Sequence, residues 1–201
     1  YRVRLTEQLP VTVEIAGEAY AIKTDFRDIL RYDETIRGQS DGEAVLKAIN
    51  MLLGEEVLRK PNMRADDIAE AIGWFVKCGD INKKNTLPRA VLGLNNAVPM
   101  DFGTDSALIY TAFLQTYGLD LYDIPYLHWW KFNWMLEDIS PSCRLSKVIE
   151  YRTIDTKNKN LSKEQKKAYA ALQRYFRVQE KKSEEDDAIV QALLEGRDPF
   201  G

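Results

Sequence analysis

YLHWWKFNW, residues 126–134, sets five aromatic residues and the chain's only histidine into nine positions. Whether these rings face water or fill the interior decides how the rest of the chain is built. On a helix, Leu127, Trp130 and Trp134 share one stripe, and Trp129, Phe132, Leu136 and Ile139 share the stripe beside it. Only His128, Lys131 and Asp138 form a narrow polar edge. A helix apolar around most of its girth belongs inside a protein. The sequence therefore predicts a buried helix from Pro125, a residue favoured in a first turn, to Ile139, stopped by Ser140-Pro141. Leu127, Trp129, Trp130, Phe132 and Trp134 are its expected core residues, with indole N–H groups and the Tyr126 hydroxyl reaching partners at the rim. The competing reading leaves one or two tryptophans exposed as anchors for a partner.

Elements that could surround such a helix are legible on both sides. Upstream, VTVEIAGEAYAIK reads as a β-hairpin over residues 11–23 with Ala16-Gly17 as its two-residue loop. Val13 then faces Tyr20 and Val11 faces Ile22, Thr12 and Glu14 point away, and the apolar side must lie on a helix. Thr24 or Asp25 caps a helix through FRDILRYDETIR that Gly38 ends, with Phe26, Ile29, Leu30 and Ile36 at helical spacing. A second helix, Gly42 to Leu53, presents Val45, Leu46, Ile49 and Leu52 or Leu53. A third, from Arg64 to Cys78, opens with Asp66 and Asp67 and stops at Gly79, with Ile68, Ile72, Phe75 and Val76 inward. Between Asp80 and Thr104 the expectation is a short helix after Pro88 and a mobile remainder.

Asp105 is expected to cap the apolar helix SALIYTAFLQTY, which carries Ile109 and Phe113 to the core and ends at Gly118. Downstream, CRLSKVIEYRTI, SKEQKKAYAALQRYF and SEEDDAIVQALL are three more helices, the last two opening on capping-box arrangements, Ser162 to Gln165 and Ser183 to Asp186. The fold class is thus mainly α, a compact multi-helix domain over residues 1–178 with a small N-terminal β-hairpin. Residues 179–201 are expected to form a charged tether and a C-terminal docking helix whose apolar side is Ile189, Ala192 and Leu193; the simpler alternative folds that helix back on the domain.

The bulk numbers narrow the function classes. At 201 residues, 45% hydrophobic and 29% charged, the chain can bury its own core. A net charge of -3 opposes sequence-independent nucleic-acid binding. No uncharged run is long enough for a membrane span, and Tyr1 to Gln8 does not resemble a signal peptide. Cys78 and Cys143 read as two reduced thiols more readily than as one disulfide, which places the chain in a cytoplasm. With His128 alone, a two-histidine metal site is excluded, and a thiol–imidazole pair requires Cys78 or Cys143 to meet His128 in space. The lysines of KNKNLSKEQKKAYAALQR, Lys157, Lys159, Lys163, Lys166 and Lys167, form either a phosphate-binding face or, more simply, the solvated side of a helix that buries Leu161, Ala168, Leu172 and Phe176.

Several of these segments, in this order, resemble one bacteriophage family: VEIAGEAYAI and TDFRDILRYDE, WFVKCG, DSALIYTAFLQTYGLDL, YLHWWKFNWMLEDI, LSKVIEYRTID and KEQKKAYAALQRYF. It is the family named after gene product fifteen of a phage of Gram-positive hosts, and the resemblance runs from Leu5 to Arg177. It implies a non-enzymatic siphovirus tail assembly chaperone without cofactor or metal. Such a chaperone binds the tape-measure protein, with the tail tube protein a further possible partner and homo-oligomerisation open. The setting it implies is the host cytoplasm rather than the mature virion. The alternative is a structural virion component, such as a head-tail or tail completion protein. Deleting Ser183 to Gly201 is predicted to leave the domain folded while weakening its binding to the tape-measure protein or to itself. An unfolded truncation, read by circular dichroism, contradicts this.

Overall fold

The computed structural model describes residues 5–37, 42–60, 63–79, 89 and 91–178. Strands β1 (Thr12–Ile15) and β2 (Glu18–Ala21) form a two-stranded antiparallel ribbon in the expected register, Val13 opposite Tyr20. Ala16 and Gly17 both have positive φ, 51° and 82°, the conformation of a type I′ turn that matches the ribbon's twist. Val13 and Ile15 are buried, while Thr12 and Glu14 face out. Val11, expected on the apolar side, is instead exposed at the open end of the ribbon.

The buried side of β1 lies on α4 (Ala65–Val76), which presents Ile68, Ala71, Ile72 and Phe75 to the core. Helix α1 (Phe26–Ile36), capped by the Asp25 carboxylate accepting the Arg27 N–H, packs on α2 (Gly42–Leu53). The inward stripe of α2 differs from the sequence reading. Ala44, Ala48, Ile49 and Leu52 are buried, and Val45 and Leu46 are exposed. Two alanines one turn apart let the helix approach its neighbour closely, so the larger side chains rotate outward. A further single turn, α3 (Glu55–Leu58), buries Val57 behind Gly54, whose φ of 79° separates it from α2; the sequence reading had no counterpart for it.

The C-terminus of α4 closes earlier than Gly79. Cys78 takes the left-handed position usual for glycine, at φ 55°, its N–H donates to Phe75 O, and the Gly79 N–H donates to Trp74 O. Residues 80–88 and 90, where the sequence leads one to expect the short helix and part of the mobile segment, lie outside the described residues; beyond them the Leu92 and Leu94 N–H groups donate to Arg89 O in a turn, and the chain continues as a strap bonded to residues 152–154. The Asn95 N–H donates to Thr153 O and its side-chain amide to Arg152 O and Ile154 O, while the Asp155 N–H donates to Gly93 O.

The remaining helices are α5 (Ser106–Tyr117), α6 (Trp129–Glu137), α7 (Arg144–Thr153) and α8 (Lys163–Tyr175). Gly118 ends α5 in the left-handed region, and the capping box of Ser162 and Gln165 opens α8, both as expected. The lysine-rich α8 buries none of its residues and Ala168 is exposed; Leu161, Leu172 and Phe176 are half-buried, and the Phe176 ring stacks on Tyr151 at 5.8 Å. The fold is mainly α with a small N-terminal hairpin, and Phe132 stands at the centre of its core. Its ring stacks on Phe26 at 4.6 Å and on Phe113 at 5.0 Å, with Trp129 at 5.7 Å. Stacked rings at such distances add about 0.5–1.5 kcal/mol per pair beyond the area they bury.

Asp105 occupies the N-cap position of α5 without capping it. Its carboxylate receives both terminal nitrogens of Arg152, at 2.6 and 2.9 Å, together with the Asp101 N–H. Arg152 also donates to Pro99 O and Phe176 O, so both buried charges are fully hydrogen-bonded. This pair joins α5, α7, the strap and the end of α8. Arg152→Ala strands a buried carboxylate and is expected to cost about 3–5 kcal/mol in urea unfolding. Arg152→Met with Asp105→Leu is expected to cost less than the sum of the single changes; strict additivity contradicts the coupling.

Candidate functional site

The HWW sequence works as a clasp. Residues before Trp129 do not begin the helix; they pair with the entrance of α1. The Phe26 N–H donates to Leu127 O, the Trp129 N–H donates to Thr24 O, and Asp25 bridges His128. Helix α6 therefore starts at Trp129, later than the Pro125 expected from the sequence. Arg27 secures the preceding loop through Leu121 O and Ile124 O, with its guanidinium 4.7 Å from the Phe26 ring centre.

His128 is the N-cap of α6. Its Nδ1 accepts the Trp130 N–H at 3.1 Å, which places the ring proton on Nε2, 3.0 Å from Pro10 O. Burial pushes the imidazole pKa below its ordinary 6.5; the Pro10 carbonyl works against that and the Lys131 charge adds to it. The next two residues act on another helix. Trp129 Nε1 donates to Val76 O and Trp130 Nε1 to Phe75 O, both at 2.8 Å. Carbonyls in the last turn of a helix lack the i+4 donor of its interior, and Phe75 O takes the Trp130 indole in addition to the Cys78 N–H. Tandem indoles thus complete the end of α4 while their rings fill the core.

Trp129, Trp130, Phe132, Phe75, Ile109 and Phe113 are buried, and Leu127 is half-buried. Trp134 is not a core residue: it is 41% exposed, edge-on to Trp130 at 5.9 Å. It lies one turn beyond the residues that reach α4 and covers Trp130 from outside. On another side Trp74 meets Trp130 edge-on at 5.5 Å. Ile189, Ala192 and Leu193 lie outside the described residues.

Between the hairpin and α4 runs a groove of about 720 Å³. Pro10, Thr12 and Glu14 line one wall; Asp67, Glu70 and Trp74 line the other, with Ala71 between them. The clasp sets both walls, since His128 holds Pro10 and Trp130 braces Trp74. Three carboxylates and, among the described residues, no Lys or Arg line the groove. Lys60 donates to the Glu18 carboxylate and the Tyr20 hydroxyl on β2. Sequence reasoning missed this site. The available signals were the outward Glu14 and the acids of α4, which helix-start electrostatics accounts for equally well.

A sequence profile of the family described as "Bacteriophage Gp15 protein" matches residues 5–178. The chain belongs to that family. No curated protein and no solved structure matches it. The Gp15 match takes in both strands and all eight described helices, so the clasp and both groove walls lie inside the family region. No helix among the described residues of this Gp15 chain is long and apolar enough to cross a membrane.

A neutral His128 is required by the clasp, because protonation converts Nδ1 from acceptor to donor. The folded pKa lies below the unfolded value, so this contribution to stability is complete above about pH 6.5 and is lost as pH falls through the folded pKa. His128→Asn retains a capping acceptor but does not titrate, and loses the Pro10 bond, at a cost of about 1 kcal/mol. Its melting temperature is expected to vary less than that of the parent between about pH 7 and pH 5. An unchanged pH slope contradicts the assignment.

Proposed function

We propose that this phage protein is a tail assembly chaperone that binds the tape-measure protein reversibly and carries out no chemical step. A long tape measure made ahead of its tube exposes apolar surface to the host cytoplasm, and a partner must cover that surface until tail tube subunits polymerise around it. Release requires contacts that are individually modest. The chaperone acts in the host cytoplasm and is left out of the finished virion.

The observation that carries a binding role over catalysis is the use of His128. Both of its ring nitrogens are spent on structural bonds, to Trp130 N and Pro10 O, leaving neither for a nucleophile or a metal. Cys143, the buried thiol, caps α7 by accepting the Ser146 N–H. The concavity the clasp shapes has small residues on its floor, an indole in one wall and acids along its rim, features that suit a segment of another chain.

Co-expression with the tape-measure protein of the same phage tests this reading. The tape-measure protein is expected to move from the insoluble to the soluble fraction and to co-purify with the chain. Failure of both contradicts the chaperone role. Finding the chain in stoichiometric amounts in purified particles supports a structural virion component instead.

A further inference from the structure

The ribbon has two strands, so β1 has β2 on one side only, and its other edge lies along the groove. Which backbone groups face that edge follows from one bond. The Ile22 N–H donates to Val11 O, making 11 and 22 a hydrogen-bonded pair; the register then makes 13 with 20 and 15 with 18 the next such pairs. The N–H and C=O groups of Thr12 and Glu14 therefore point away from β2, into the groove. Neither residue's backbone has a hydrogen-bond partner among the described residues. The next acceptor of the same parity, Pro10 O, is already taken by His128. Among the described residues the open edge is thus a short strip bounded at one end by the clasp.

We infer that this edge takes an extended, Lys- or Arg-bearing segment of a partner protein as a third strand. Main-chain bonds to Thr12 and Glu14 hold the added strand. Alternate side chains of that strand lie over Ala71 and the Trp74 ring, and its cations meet Glu14, Asp67 and Glu70. Charge also selects the occupant. A second copy paired edge to edge brings the same carboxylates together, which is repulsive, and charged residues on strand edges oppose self-pairing in this way. A cationic strand meets an oppositely charged rim. The inference rests on the chaperone reading for its partner, the tape-measure protein, and it goes beyond that reading in naming the site, the backbone conformation and the charge of the bound segment.

The test uses the full chain co-expressed with the tape-measure protein, comparing Thr12→Pro and Glu14→Lys/Glu70→Lys with the parent. Proline at position 12 removes an edge donor while sparing the bonds to β2. Each variant is expected to capture at least about tenfold less tape-measure protein with an unchanged melting temperature, and capture by the parent is expected to weaken with salt. In the complex, hydrogen exchange at the Thr12 and Glu14 amides is expected to slow by at least about tenfold. If Thr12→Pro lowers the melting temperature, the exposed charge reversals and the exchange measurement decide. Undiminished capture by the charge-reversed variant, or unchanged exchange at both amides, overturns the groove assignment alone. Protection of those amides in a dimer of the chain by itself also overturns it, in favour of a second copy. A parent chain that captures no tape-measure protein overturns both readings.

Discussion

Two indole N–H groups, on consecutive residues, aimed at two consecutive carbonyls of another helix: the rest of the structure depends on this contact. Trp129 and Trp130 bond Val76 O and Phe75 O, so the exposed end of one helix dipole is closed by the beginning of another helix. Leaving the Trp129 indole or Val76 O without this bond costs about 1–3 kcal/mol for a buried group, whereas Phe75 O keeps the Cys78 N–H beside its indole donor. The rings that carry the donors are themselves core. Trp129 stacks on Phe132, and Trp130 touches Phe75, Trp74 and Trp134. Packing and polar satisfaction therefore demand the same rotamers, which fixes α4 against α6.

From that contact, order spreads in two directions. Through His128 it reaches Pro10 and the start of β1; through the bridge with Asp25 it reaches the entrance of α1. The groove lies where the first of these lines, through Pro10 and β1, faces α4. A second anchor, the buried Arg152–Asp105 pair, organises the opposite half, where the strap, α7 and α8 converge. Its neighbour α8 buries no residue of its own and is held by Tyr151, Phe176 and the Gln173 amide bonded to Ile154 O. The molecule thus grades from a densely bonded aromatic centre to a lightly attached, lysine-rich helix.

Local pattern carried much of this architecture. Alternation of Val13 and Ile15 with Thr12 and Glu14 sufficed for the hairpin register, and Ser162 with Gln165 for the start of α8, because both depend on residues a few positions apart. What escaped were features decided at long range. The cap role of His128 involves Pro10, 118 positions away, and the true start of α6 follows from pairing with Thr24 and Phe26. Trp134 reads as core from helical periodicity, yet α4 ends before reaching it. Val45 and Leu46 read as inward because hydrophobicity ranks them above Ala44 and Ala48, whereas close helix packing favours the smaller side chains. Asp105 reads as a cap and is an ion-pair partner, since Arg152 is invisible to a local window. The groove was hidden for the same reason: an unpaired strand edge is a property of the assembled sheet. The apolar side of the C-terminal segment, Ile189, Ala192 and Leu193, lies beyond the described residues and is neither supported nor opposed by them.

The most direct test of the clasp is hydrogen exchange at the four indole nitrogens, resolved by nuclear magnetic resonance. The Trp129 and Trp130 Nε1 protons are predicted to exchange only through global unfolding, while the Trp134 proton exchanges quickly at the surface. Rapid exchange at Trp129 or Trp130 in the folded protein contradicts the view that these two donors hold the end of α4 and, with it, the groove.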